Sequence, residues 1–204
     1  MSVIIDGEAV ALPSIKSLSW FDDATLRLSF PNDGTKRPGR PQCIILHTTT
    51  GDMPQHVVDD AAPPEHCTAR RTVAYWAKSP RRAGAHLIID ADGTLFCLAD
   101  LGREVAYHCS GVNGVSVGIE VVQQADGTLY AEQLRVAFAV CEWLCDRFNI
   151  PRSVAWPYTG ARPLDTMRHF RGVAGHRDVS SNRGRGDPGD LIMRCFVEAA
   201  WPTV

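Results

Sequence analysis

The chain has 204 residues, 45% of them hydrophobic and 22% charged; this length suits about one domain of 100–200 residues, and this composition excludes a disordered chain. Lys and Arg together number 21 against 23 Asp and Glu, a formal charge of −2, which excludes the basic footprint of a general nucleic-acid binder.

Residues 1–40 read as an N-terminal extension of strands and linker, and residues 41–204 as the main domain. In the extension, Leu26, Leu28 and Phe30 alternate with Arg27 and Ser29, the period-2 pattern of a half-buried strand. Pro31-Asn32-Asp33-Gly34 stops it, and residues 36–41 look like an exposed linker. Cys43-Ile44-Ile45-Leu46 is a short continuous apolar run, as expected of a strand buried on both faces. His47 and three threonines follow, ending at Gly51. Pro63-Pro64 then precedes a helix expected over about residues 65–78.

Residues 85–90 and 94–98 flank Ala91-Asp92-Gly93, and Asp-Gly between two apolar runs signals a hairpin. Residues 117–122 form another buried strand. Over residues 131–148 Leu134, Ala137, Phe138, Cys141, Leu144, Cys145 and Phe148 recur at spacings of three and four, the stripe of an amphipathic helix. Residues 172–175 make a short strand, residues 176–189 a loop, and residues 190–200 a last helix. Strands interleaved with helices, plus one antiparallel hairpin, predict an α/β fold: a mixed central β-sheet flanked by helices.

No stretch approaches the roughly 20 apolar residues of a membrane span. The opening Met-Ser-Val-Ile-Ile-Asp-Gly-Glu carries acids where a signal peptide needs a basic region. Synthesis in the cytoplasm without a secretion signal is therefore expected. The seven cysteines are scattered and odd in number, which reads as reduced side chains used as small apolar residues. Cys141 and Cys145 share the apolar face of their helix, so core packing outweighs a metal half-site.

Of the seven histidines, His47 and His176 stand out. Each follows a short apolar strand and opens a loop, where open sheets place their sites. The loop after His176 is rich in glycine and can fold back to present Asp187. Two imidazoles and one carboxylate then converge. Catalytic zinc sites keep three protein ligands and leave a fourth position for water. Carboxylate and imidazole also suit other divalent metals, so spacing favours zinc without selecting it.

Four blocks carry a resemblance. They are Cys43-Ile44-Ile45-Leu46-His47; Ala85-His86-Leu87-Ile88-Ile89-Asp90 with Asp92-Gly93-Thr94; Ser116-Val117-Gly118-Ile119-Glu120; and Gly175-His176-Arg177-Asp178 with Asp187-Pro188-Gly189. In this order they resemble the zinc-dependent N-acetylmuramoyl-L-alanine amidases, the family of phage lysozyme-type amidases, muropeptide-recycling amidases and peptidoglycan recognition proteins. The resemblance runs from about Cys43 to the C-terminus and leaves out the first forty residues. It implies one catalytic Zn2+ held by His47, His176 and Asp187. It also implies hydrolysis of the amide between N-acetylmuramic acid and L-alanine, with peptidoglycan or muropeptides as partner. Members that have lost catalysis commonly lack the third ligand, so Asp187 speaks for an enzyme.

Glu120 matches the glutamate that recycling-type members hold near the metal. Its expected role is general base; the alternative is an edge residue facing solvent. Arg185 stands where active members usually carry lysine, and a cation there would stabilise the oxyanion. His108, in Ala106-Tyr107-His108-Cys109-Ser110-Gly111, resembles a groove-lining histidine, and His86 is grouped with it as substrate-binding. Ala85 replaces the tyrosine of phage lysozyme-type members. The expected protein is a monomer without a membrane span, acting as a phage endolysin, a recycling enzyme or a secreted effector. The rival reading is a muropeptide-binding module without catalysis.

Overall fold

The apolar runs become strands of one mixed sheet. The structure, a computed structural model, describes residues 2–28, 36–51, 54–59, 68–80 and 83–204. In chain order its elements begin with β1 (Val3–Ile5), β2 (Glu8–Val10), β3 (Ser17–Ser19), β4 (Cys43–Thr48), β5 (His56–Val58), α1 (Ala69–Lys78), β6 (Leu87–Ile89) and β7 (Leu95–Cys97). They continue with β8 (Ser116–Val121), β9 (Thr128–Tyr130), α2 (Ala131–Phe148), α3 (Leu164–His169), β10 (Gly172–Gly175), α4 (His176–Val179) and α5 (Asp190–Glu198).

The main sheet runs β10-β4-β8-β6-β7-β3. β10, β4, β8 and β6 are parallel, β7 returns antiparallel to β6, and β3 lies parallel to β7 at the edge. β1 and β2 form an antiparallel pair, and β5 pairs with β9 in parallel.

Successive side chains on a strand point to opposite faces, and this alternation divides the molecule. Ile44, Leu46, Val117, Ile119, Val121, Leu87 and Ile89 join the main core with Val136, Val140 and Leu144 of α2 and Met193 and Phe196 of α5. Burying each such side chain contributes about 1.5–3 kcal/mol. The opposite face is covered in two places. Cys43 and Ile45 pack with Val112, Met167 and Val179, while Ile88 and Phe96 pack under Ala69 and Val73 of α1. On this same face, His47 and Glu120 open into a groove.

α2 spans the predicted residues, starting where Gln133 Oε1 accepts the Tyr130 amide at 2.9 Å and ending at Asn149 in the left-handed region with φ 54°. The hairpin of β6 and β7 turns on Gly93 with φ 76°. Three expectations need correction. Leu26 and Leu28 are buried, but residues 24–28 form no strand. Asp23 accepts the Thr25 amide and starts a 3-10 turn over Ala24–Leu26 instead. The linker at residues 36–41 is not wholly exposed, because Arg37 is buried against Gly114 O and His86. The loop after residue 175 begins as helix α4, since Asp178 Oδ2 accepts the Gly175 amide at 2.8 Å. α3, following Pro163, was not anticipated. The expected stop at Pro31-Asn32-Asp33-Gly34, with Phe30, and the Pro63-Pro64 start with residues 65–67 lie outside the described residues.

The N-terminal residues pack into the same body. Val3, Ile4 and Ile5 belong to the main core, and β3 extends the sheet beyond β7. Among the described residues, no helix is long and apolar enough to cross a membrane.

Gly127 gives a stability test. Its φ is 94°, and a Cβ there would meet Pro54 O at 1.9 Å. Gly127→Ala is expected to cost about 1–3 kcal/mol through strain at positive φ and displacement of this turn. Urea denaturation reads it as a lower midpoint.

Candidate metal centre and groove

Open sheets bind ligands beyond the carboxyl ends of parallel strands. Here β10, β4 and β8 are adjacent, and their ends carry the chemistry. His176 is the first residue after β10, His47 lies near the end of β4, and Glu120 lies near the end of β8. The register sets His47 beside Glu120 and Leu46 beside Gly175. Residues in register on adjacent strands share a face, so the imidazole and the carboxyl point into the same groove.

Asp187 comes from the loop after α4, and the loop is tied at several points. The Arg177 amide donates to Asp187 O at 2.8 Å, and Arg177 Nη1 donates to Arg185 O at 2.7 Å and to Asp190 Oδ1 at 2.8 Å. Thr48 Oγ1 donates to Gly186 O at 2.8 Å, and the Thr48 amide donates to Asp187 Oδ1 at 3.2 Å. Arg177 is fully buried, with its guanidinium over the Tyr158 ring. It acts as the internal brace of this loop.

The result is a compact donor cluster. One ligand atom each from His47, His176 and Asp187 lie within 4.8 Å of one another, and all three residues are buried. His176 Nδ1 is 3.1 Å from Asp187 Oδ2, and His47 Nδ1 is 3.8 Å from Asp187 Oδ1. His176 Nδ1 nonetheless has no hydrogen-bond partner among the described residues. A buried nitrogen left in this way calls for an explanation, and a cation shared with the facing carboxylate supplies one. Two imidazoles and a carboxylate, with room beside them, match the donor set of a catalytic zinc site.

The groove beside this cluster has a volume of about 520 Å³. α1 forms one wall with Arg71, Thr72, Tyr75 and Trp76, while Tyr107, His108 and Arg183 line other parts. Glu120 lies on a central strand, only 9% exposed, and lines the groove. It is not an edge residue in solvent. Burial, then the nearby Asp187, push its carboxyl well above the usual range, with Arg183 pulling the other way. Burial and neighbouring histidines hold His47 well below the ordinary histidine value, and burial above all pushes His108 down to about 3.

The structure brings His47, His176, Asp187, Glu120 and His108 together. It leaves Arg185 apart from them, and it sets His86 behind His108, ring centroids 5.6 Å apart, outside the groove lining. His86 is fully buried, and its Nδ1 accepts the Gly118 amide at 3.0 Å. It braces β8 from within and does not reach the groove, which corrects its expected contact with substrate. Arg185 turns to Asp190 Oδ2 at 2.5 Å and borders a separate depression with Pro54 and Gln55. Asp190 also holds buried Arg177, and this acid draws Arg185 away from the donor cluster. Of the two arginines that line the groove among the described residues, Arg71 and Arg183, it is Arg183 whose Nε lies 3.7 Å from Asp187 Oδ2. Sequence reasoning missed it. The available signal was its position four residues before Asp187 in a loop with two arginines.

A mixed sheet with two histidines, a loop carboxylate and a buried glutamate at its strand ends defines a hydrolase-like α/β domain. A protein-family profile described as N-acetylmuramoyl-L-alanine amidase matches residues 37–190. The chain belongs to this family of enzymes. Among solved structures, it is similar to N-acetylmuramoyl-L-alanine amidase LysC from Clostridium intestinale URNW, at 17% identity and TM-score 0.53, covering 93% of this chain and 97% of that one. It is similar to AmpD at 17% identity and TM-score 0.52, covering 91% and 96%. A Drosophila PGRP-LB mutant in complex with tracheal cytotoxin aligns at 15% identity and TM-score 0.58, covering 92% and 96%. At such identities these structures support the fold alone. A search of curated proteins gives no match.

Proposed function

We propose that this chain is a zinc-dependent amidase that cleaves between N-acetylmuramic acid and L-alanine in peptidoglycan or its muropeptide fragments. The observation that carries the reading is the convergence of His47, His176 and Asp187, with an orphaned buried nitrogen among them, beside Glu120 in an open groove. His47, His176 and Asp187 would hold the metal. When bound, zinc supplies a Lewis acid that polarises a carbonyl and acidifies water.

Glu120 takes the proton from the attacking water and returns it to the departing alanine nitrogen. Its raised affinity for a proton suits a group that must accept a proton and then deliver it. Arg183 takes the role expected of Arg185. Its charge stands beside Asp187 at the groove, where negative charge develops on the former carbonyl oxygen. The α1 wall, with exposed Tyr75 beside Trp76, offers apolar surface to the rest of the substrate.

The test is digestion of purified sacculi and of soluble muropeptides in parallel, with mass analysis of products and a zinc assay. New free amino groups on L-alanine are expected. Tight binding without release would instead establish a muropeptide-binding module.

Arg183→Ala is expected to lower turnover by about 10²-fold, the usual loss of an oxyanion donor, with smaller change in the binding of uncleaved substrate. Arg185→Ala is expected to leave turnover nearly unchanged, since its partner is Asp190. Steady-state kinetics on the two variants decides between the two arginines. The reverse order of effects would return the role to Arg185.

A further inference from the structure

We infer that His108 and Ser116 form a hydrogen-bond relay that fixes the proton of His47 on Nε2 and leaves Nδ1 bare for a metal. The inference rests on the metal reading above, but it concerns only side chains seen in the structure.

The proton positions follow from one fixed end. The Val112 carbonyl can only accept, so Ser116 Oγ donates its single hydrogen to Val112 O at 2.8 Å. Ser116 Oγ is then an acceptor toward His108 Nε2, which lies 3.1 Å away. That nitrogen must carry the proton. In a neutral imidazole the other nitrogen is bare, so His108 Nδ1 accepts from His47 Nε2 at 3.0 Å. His47 therefore carries its proton on Nε2. Its Nδ1, the nitrogen 3.8 Å from Asp187 Oδ1, keeps a free lone pair among the other ligands.

The place of His108 is itself built. Asn113 Oδ1 accepts both the His108 amide at 3.1 Å and the Cys109 amide at 2.7 Å, pinning the turn that carries the ring. Below the ring lies Gly118, where a Cβ would meet His108 Cγ at 2.3 Å. Only a residue without a side chain lets the imidazole lie that close to β8. A glycine floor, an asparagine clamp and a serine acceptor thus converge on one ring, and that ring touches a metal ligand. The second nitrogen of a ligating histidine usually finds a carboxylate, carbonyl or water, and this partner sets the tautomer. Here a neutral histidine does so, backed by a serine and a main-chain carbonyl. His108 is thus a positioning residue, which acts through His47.

The experiment reads the proton directly. Long-range 1H–15N correlation spectra of the metal-free full chain should show His47 and His108 both protonated on Nε2. Ser116→Ala removes the acceptor and should give His47 a mixture of tautomers. Zinc affinity, measured by chelator competition, should fall about 10–100-fold, with the circular dichroism spectrum unchanged. His108→Asn places Oδ1 near the position of Nδ1 and should retain more affinity than His108→Leu. The idea is overturned if His47 carries its proton on Nδ1 in the wild-type protein. It is also overturned if Ser116→Ala keeps both the wild-type tautomer and wild-type zinc affinity, or if the asparagine and leucine variants lose affinity equally. The spectra need neither metal nor turnover. A protein with the stated tautomers that cleaves no wall substrate would keep the relay and lose the amidase reading.

Discussion

Asp187→Ala is expected to lose stoichiometric zinc and nearly all hydrolysis while keeping its fold. The carboxylate is the one anionic member of the donor cluster, and Arg183 stands close beside it. Without it, two imidazoles face a nearby guanidinium, and a divalent cation meets repulsion where it met attraction. The loop should stay in place, because its main-chain ties, Arg177 amide to Asp187 O and Arg177 Nη1 to Arg185 O, do not use the lost side chain. The Thr48 amide loses its acceptor, a cost of about 1–3 kcal/mol. His47→Ala and His176→Ala should behave alike. Elemental analysis of each purified variant is the check, and a variant that retains full-affinity zinc removes its residue from the ligand set.

Chelating the wild-type protein should likewise leave it folded. The main core of α2, α5 and the sheet lies on the face opposite His47 and Glu120. A chain of this size buries enough surface to fold without a metal staple. Circular dichroism before and after chelation tests this, and collapse to coil would make the site structural.

Much of the architecture was legible because local pattern and tertiary burial agree. The Cys43–Leu46 run is a central strand, and the stripe from Leu134 to Phe148 is a helix over the core. His47 and His176 could be picked out because each ends a strand, and parallel strand ends are where sites collect. The misses share a cause. Leu26 and Leu28 alternate as a strand would, yet Asp23 caps a 3-10 turn that takes in Leu26. Both leucines are buried, so the period reported burial and not conformation. Arg185 and Arg183 differ by two positions in a glycine-rich loop. Which one faces the groove depends on Asp190, which arrives with the next helix. His86 reads like a groove residue until the Gly118 amide and Arg37 are seen around it. Side-chain direction in loops is set by partners distant in sequence, and no local pattern carries it.

Glu120→Gln should separate chemistry from structure. The amide keeps the shape of the carboxyl and its capacity to hydrogen-bond, but it cannot take a proton from water. Zinc content should hold, because Glu120 stands outside the three-ligand cluster. Turnover should fall by about 10²–10⁴, the usual contribution of a general acid–base. Stability should move the other way. Burial raises the Glu120 carboxyl well above its ordinary value of 4.5 in the folded protein. The folded state then holds this proton more tightly than the unfolded state does. Stability from the group is full below the unfolded value and is lost as pH rises through the folded one. Above the unfolded value the metal-free wild type must therefore take up a proton or bury a charge at Glu120 on folding, a cost that the glutamine variant lacks. Urea denaturation of chelated protein at pH 8 should show Glu120→Gln at least as stable as wild type, with the advantage shrinking toward pH 4. A group that costs stability where it sits, yet whose loss removes turnover, is held there for its chemistry. Near-normal turnover in the zinc-replete variant would leave Glu120 as a wall of the groove and no more.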